Sequence, residues 1–191
     1  MERDELNSNP EQRLIRSAQA GDVEAFGRLV VQHQGSVFNI AYRLTGNRQE
    51  AEDVAQEAFL RTFQNLDKFN PELPFAPWLY RITTNTALNW IKRRRPETML
   101  PEETLADDRV QEPEHRAVAS ELSVDLRAAI ATLPANSRAV LELRHFQGLS
   151  YRQMAAVLDA PISDVKSWLF RARRKLHAAL EAGEPSLVGR D

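Results

Sequence analysis

Arginine and lysine crowd two stretches of this sequence, each beside an aromatic ring and polar side chains able to read hydrogen-bonding edges. In ISDVKSWLFRARRKL, from Ile162 to Leu176, steps of three and four put Ile162, Val165, Leu169, Ala172 and Leu176 on one apolar helical stripe. The opposite face holds Ser163, Ser167, Phe170, Arg171 and Arg174. Arginine meets phosphates and guanine edges bidentately, while a phenyl ring and hydroxyls suit thymine methyls and base edges in a major groove. A charge run alone would be a solvated face, but Phe170 among the arginines points to DNA recognition. Trp168 falls nearer the apolar stripe and reads as boundary packing.

The second stretch is WLYRITTNTALNWIKRRR, from Trp78 to Arg95. A helix here buries Leu79, Ile82, Thr83, Thr86 and Trp90 and turns Trp78, Arg81, Asn85, Asn89 and Lys92 another way. Unpaired bases stack on aromatic rings and offer their edges to amides, so this stripe suits single-stranded nucleic acid. An equally simple account makes Trp78 core and the asparagines merely exposed. A third helix, QEAEDVAQEAFLRTFQNL, buries Ala51, Val54, Ala55, Ala58, Thr62 and Leu66. Its outer face of Asp53, Gln56, Glu57, Leu60 and Gln64 is either a solvated acidic surface or, given Leu60, a docking surface for a basic protein.

Other chemistries find little support. The 191 residues contain no cysteine, hence no disulfide, thiolate nucleophile or thiolate metal site. His33, His115, His145 and His177 are scattered at no metal-ligand spacing and read as surface or boundary residues. Glu52, Asp53 and Glu57 could begin a metal-dependent nuclease site, but no histidine or glycine-rich phosphate loop joins them. No metal, cofactor or catalytic residue is expected. No apolar run approaches the roughly 20 residues of a membrane span, and MERDELNSNPEQ is too polar for a secretory signal. A folded cytoplasmic protein with no membrane insertion of its own is expected.

The formal net charge of -2 conceals a sharp asymmetry. Trp78–Arg95 carries five cations and no acid, and Ser163–Leu176 carries five cations against Asp164. Between them, Glu97–Asp125 holds nine acids against Arg109 and Arg116. Two basic islands flanking an acidic segment predict local electropositive surfaces in a nearly neutral chain.

Apolar periodicity is helical nearly throughout, so the fold class is all-α. Arg13–Tyr42 gives two helical stretches broken near Ala20–Asp22 and at Gly35, with Phe26, Leu29, Val30, Phe38 and Tyr42 as core candidates. KFNPELPFAP, from Lys68 to Pro77, holds three prolines and predicts a loop, after which a helix runs to the stop at Pro96. The expected organisation is a flexible start over 1–12, a helical domain over 13–96, a flexible acidic linker over 97–120, a second helical domain over 121–180 and a tail over 181–191. In the second domain Ser150 and Gln153 form a capping box, Met154, Ala155 and Leu158 point inward, and DAP breaks the chain before Ile162. Two short helices joined by a tight turn make a helix-turn-helix.

Taken in order, GDVEAFGRLVVQHQ, AEDVAQEAFLRTFQNLDKF, FAPWLYRITTNTALNWIKRRR and LPANSRAVLELRHFQGLSYRQMAAVLDAPISDVKSWLFRARRKL resemble the successive regions of a bacterial sigma factor of the extracytoplasmic-function (group IV) class, from about Arg13 to Ala179. The resemblance implies two helical domains, region 2 and region 4, that carry core RNA polymerase to promoters. It implies that Asp53, Gln56, Glu57 and Leu60 dock on the coiled coil of the largest polymerase subunit, with the polymerase flap as a further contact. It implies that Phe75 and Trp78 lie near the upstream fork of the -10 element, that Arg61, the Phe69 loop and Asn85 form a pocket for a flipped base, and that Asn89, Lys92 and Arg93 touch backbone or adjacent bases. Region 4 would read the -35 element as duplex through Arg144, Lys166, Ser167, Phe170, Arg171, Arg173 and Arg174. Control by an anti-sigma factor is a further implication. The recognition helix opens SDVKSW where the family carries GTV[KR]SR, so Asp164 stands for threonine and Trp168 for arginine. Asp164 suits a helix N-terminus but would repel a nearby phosphate. The alternative is a helix-turn-helix regulator acting by itself, which leaves the Trp78 and Asn85 stripe without a purpose.

Overall fold

The computed structural model describes residues 9–94 and 124–183. All regular elements among them are helical. Helix α1, Pro10–Gln19, begins three residues before the expected Arg13, because Asn9 and Gln12 form a capping box around a proline at the first helical position. Helix α2, Val23–Thr45, is capped by Asp22, whose carboxylate accepts from the Ala25 N–H at 3.1 Å. It ends at Gly46, whose φ of +74° is the left-handed conformation that glycine adopts without strain. The break expected at Gly35 does not occur. A mid-helix glycine costs only about 1 kcal/mol, and burial of Leu29, Val37, Ile40, Ala41 and Leu44 along one face offsets it. Tyr42, an expected core residue, is 43% exposed, whereas Phe26, Val30 and Phe38 are half-buried.

Asn47 caps α3, Arg48–Gln64, and a 3₁₀ turn over Leu66–Lys68 leads toward α4, Phe75–Arg94. Helix α4 starts inside the proline-rich segment, two residues before Pro77, not after it. Pro77 sits in the first turn, where its missing N–H would have had no helical acceptor. Around α4, Leu79, Thr83 and Thr86 are buried as expected, and Ile82 and Trp90 are half-buried. A second stripe is also buried: Tyr80, Thr84 and Ala87, with Ile91 half-buried beside them.

The second unit explains that extra stripe. Helices α5, Val124–Ala131, and α6, Ala135–Leu141, lead through a wide π turn at Glu142–Phe146 into the helix-turn-helix pair α7, Tyr151–Leu158, and α8, Ile162–Gly183. The Ser150–Gln153 capping box forms as expected, with the Gln153 side chain accepting from the Ser150 N–H at 2.9 Å. Asp159, in the left-handed conformation at φ 49°, makes the turn before α8. Val165, Leu169 and Ala172 are buried and Leu176 is half-buried, but Ile162 at the helix start is 39% exposed. Trp168 is half-buried against the core, as its position beside the stripe predicts. Helix α7 packs along α4, and α6 with the π turn packs against α2. One hydrophobic cluster runs through both units, joining Ile40, Ala41, Leu44, Tyr80 and Ala87 to Leu143, Met154 and Val157. A second cluster, with Leu29, Ala58, Phe69, Phe75 and Leu79, lies within the first unit.

Residues 1–8, the acidic segment expected to be a linker and the tail beyond 183 lie outside the described residues. No helix among the described residues is long and apolar enough to cross a membrane.

Candidate nucleic-acid interface

The third side of α4 remains open to solvent. At 100° per residue Trp78, Arg81, Ile82, Asn85, Asn89 and Lys92 share it, and the 3₁₀ turn delivers Asn65 and Lys68 beside its N-terminal half. Asn65, Lys68, Trp78, Arg81, Ile82 and Asn85 line a pocket of about 260 Å³. Its chemistry is an aromatic wall, two amides and two cations, which suits a planar base on a phosphate backbone. Lys68 donates to Asn65 Oδ1 at 3.3 Å, and Asn65 Nδ2 donates to the Arg61 carbonyl at 2.8 Å, so this rim is held by α3.

Trp78 and Asn85 therefore stand together in the pocket, as the sequence suggested. Phe69 and Phe75 do not line it. Both are buried, with ring centroids 5.5 Å apart, and Phe69 stands 4.7 Å from Trp78. They form an aromatic wedge behind Trp78 that fixes its plane, and Phe75, 1% exposed, has no face left for an external ligand. The burial follows from their place at the junction of the loop and α4, where apolar rings close the end of the first unit. Arg61 also lies outside the pocket lining: its Nε donates to Glu57 Oε1 at 2.9 Å. Asn65, Lys68 and Arg81 are pocket residues that the site assignment from sequence left out. Arg81 was visible on the stripe, but Asn65 fell in the last turn of the expected third helix, which in fact ends at Gln64, and Lys68 in a connection with no periodicity to reveal it.

On α3, Asp53, Gln56 and Leu60 are exposed and Glu57 is half-buried. Leu60 is a large apolar residue amid carboxylates and amides, and it is 56% exposed. Glu57 also lies 3.9 Å from Arg93, and Glu50 pairs with Arg94, so the acidic face of α3 borders the basic end of α4. Asn89, Lys92 and Arg93 are exposed along that end.

In the second unit, α8 presents Lys166, Ser167, Phe170, Arg171, Arg173 and Arg174 to solvent. Phe170 is 65% exposed. Lys175 on the same helix is committed elsewhere, donating to the Thr132 carbonyl at 2.9 Å. Arg144 is half-buried and does structural work: its Nη1 donates to the Leu149 carbonyl at 2.9 Å and its guanidinium lies 5.5 Å from the Tyr151 ring centre. Lys166 approaches the same ring at 5.9 Å. Burial, with the positive charges of Arg173 and Arg144, holds the His145 pKa below its ordinary value. Its ring is therefore neutral at pH 7 and adds no charge to this face. No group of three or more histidines and carboxylates that could hold a metal occurs among the described residues.

Comparison with known proteins gives a consistent picture. Residues 29–97 match the family model of Sigma-70 region 2, and residues 123–176 match that of Sigma-70, region 4. The chain is 35% identical over 188 residues to the RNA polymerase sigma-H factor of Pseudomonas aeruginosa, with 92% of this chain and 96% of that one covered. It is 34% identical over 176 residues to the ECF RNA polymerase sigma factor SigW of Bacillus subtilis, covering 87% and 94%. Among solved structures, CnrH in complex with the cytosolic domain of CnrY superposes with a TM-score of 0.68 at 28% identity, covering 92% of this chain and 100% of that one.

Proposed function

The chain belongs to the extracytoplasmic-function family of RNA polymerase sigma factors, and from that premise we propose how its faces divide the work of starting transcription. The exposed face of α3, with Asp53, Gln56, Glu57 and Leu60, is the docking surface for core polymerase. The α4 pocket captures a flipped base of the -10 element, with Trp78 as stacking platform and Asn85 as edge reader. Phe69 and Phe75 support Trp78 from behind, Arg61 guards the pocket rim, and Asn89, Lys92 and Arg93 follow the strand. Helix α8 enters the duplex major groove at the -35 element with Lys166, Ser167, Phe170, Arg171, Arg173 and Arg174, while Arg144 steadies the turn ahead of α7.

The observation that carries this reading is the pairing of two unlike nucleic-acid surfaces on one chain. One is a pocket with an aromatic wall and amides, useful only against unpaired bases. The other is an exposed helix-turn-helix face, useful against duplex. A regulator acting alone needs only the second. Stacking and edge contacts worth roughly 1–3 kcal/mol per captured base offset the unpairing of the duplex, so strand opening asks for no nucleotide hydrolysis and no catalytic residue. Such a protein works in the cytoplasm, beside polymerase and DNA, and an anti-sigma protein is the expected regulator.

Transcription of a randomised promoter library by core polymerase plus this protein tests the assignment. New start sites with shared -10 and -35 sequences are expected, and their absence with folded protein overturns it. Asn85→Ala should change which bases are preferred at one -10 position. Equal loss at every promoter would refute its part as a base reader.

A further inference from the structure

The α4 pocket has one side that does not belong to α4. Asn65 and Lys68 line it from the connection after α3, and Phe69 of the same connection backs the Trp78 wall with its ring centre 4.7 Å away. Inside this connection the Lys68 N–H donates to the Asn65 carbonyl and the Phe69 N–H to the Leu66 carbonyl, each at 3.1 Å. A single 3₁₀ turn has poorer hydrogen-bond geometry than an α-helix and does not fix its own place in a fold. Something outside the turn has to set where it sits.

Helix α1 does this, although it contributes nothing to the pocket lining. Nε2 of Gln19, in the last turn of α1, donates to the Leu66 carbonyl at 2.8 Å and to the Phe69 carbonyl at 2.7 Å. An amide NH2 carries two hydrogens, so this group commits both to the two ends of one short segment. Leu66 is 2% exposed and Phe69 6% exposed, and a carbonyl deprived of its donor in such surroundings is costly. Three residues earlier on α1, Arg16 pairs with Glu72 farther along the same connection. Both of those side chains are exposed, so that pair contributes little, and the half-buried Gln19 is the firmer tie.

The consequences reach the pocket from two directions. Asn65 and Lys68 flank the Leu66 carbonyl, so the rim moves with that anchor. The Phe69 ring stands between the other anchor and Trp78, with Phe75 5.5 Å from it, so the aromatic wall moves with the Phe69 backbone. Reading a base by its edge needs the reading groups held to within about 0.5 Å, which makes the spacing of rim and wall a matter of specificity.

We propose that Gln19 is a positioning residue for -10 recognition: by clamping the Leu66 and Phe69 carbonyls it sets the Asn65–Lys68 rim against the Trp78 wall, and so decides which base the pocket prefers, without touching DNA. This rests on the sigma-factor reading above and adds to it a specificity determinant outside the nucleic-acid face.

Three substitutions test the paired donor. Gln19→Glu keeps the size but turns acceptors toward two carbonyl oxygens, Gln19→Ala removes the donor, and Gln19→Lys restores several N–H groups on one atom. In a full-length chain carrying Trp90→Phe and Trp168→Phe, Trp78 is the one tryptophan left, and acrylamide quenching reads how firmly the wall is held. Quenching should rise in Gln19→Glu and Gln19→Ala and return toward the parent value in Gln19→Lys. With core polymerase and promoters randomised over the -10 element, discrimination at the captured base should fall about 3- to 10-fold in the first two variants, the scale of one hydrogen bond. It should recover in Gln19→Lys and stay intact at the -35 element throughout, with circular dichroism checking that helix content is kept. Unchanged quenching or unchanged base preference in both folded variants would overturn the proposal. So would an equal loss at every promoter, which marks a merely structural residue, or a failure of Gln19→Lys to restore the preference. Absence of transcription by the wild-type protein from every promoter would count against the sigma-factor assignment instead, and the quenching of Trp78 would still decide whether Gln19 holds the wall.

Discussion

Phe170→Ala separates a recognition role from a structural one. The side chain is 65% exposed on the outer face of α8, opposite the buried Val165, Leu169 and Ala172. Truncation removes little that the fold uses, so the melting temperature should change by no more than about 1–2 °C, the effect of roughly 0.5 kcal/mol. In a promoter complex the exposed part of the ring would be buried against bases. Full burial of a phenylalanine side chain is worth about 1.5–3 kcal/mol, so the exposed two-thirds carries about 1–2 kcal/mol. That corresponds to a roughly 5- to 30-fold weakening. The assay is competition between promoters that differ only in the -35 element, transcribed by reconstituted holoenzyme at limiting concentration. Discrimination should shrink at the -35 element and remain intact at the -10 element. Unchanged -35 discrimination with an unchanged melting curve would refute the placement of Phe170 in the groove. A large fall in melting temperature would show that the ring is structural after all.

Burial raises the Glu142 pKa above its ordinary value, and the Arg43 charge and the Gln147 hydrogen bond only partly oppose this. An acid whose folded pKa is raised binds its proton more tightly folded than unfolded, so its contribution to stability is greatest below about 4.5 and declines as pH rises through the folded pKa. Glu142→Gln keeps a polar partner for Gln147 and removes that titration. The melting temperature of the variant relative to wild type should therefore rise between about pH 4.5 and 7, and a pH-independent difference would contradict the raised pKa. Gly46→Ala forces a Cβ into a φ of +74° at the end of α2 and should lower stability by about 1–2 kcal/mol, visible as a melting-temperature drop of several degrees. No change on that substitution would show that the helix end can rearrange.

Much of the site was legible because helical period alone sorts side chains into faces. Phe170 and Arg171 on one helix, and Trp78 and Asn85 on another, emerged from steps of three and four with no knowledge of their neighbours. The Ser150 capping box, set by hydrogen bonds between residues three apart, and the break before Ile162, set by Asp159 in the left-handed conformation and by Pro161, were equally local. The same logic failed where the chain leaves its helical period. Asn65 and Lys68 joined the pocket only because a 3₁₀ turn folds back beside α4. It failed again where two side chains compete for one space: Phe69 and Phe75 could have faced a ligand or the core, and apolar packing within the first unit decided for the core.

By itself, then, the sequence determined the helical class, the two basic faces and the family, since propensity, capping and amphipathic spacing act over a few residues. Only the tertiary structure decided that α4 has two buried sides, because Tyr80, Thr84 and Ala87 are covered in a fold where α7 packs along the same helix. It also decided that Glu142 and Arg43 meet. They stand 99 positions apart in the sequence, and no local rule connects a carboxylate in one helical unit with a guanidinium in another. Their pairing depends on burial, which only the assembled chain creates.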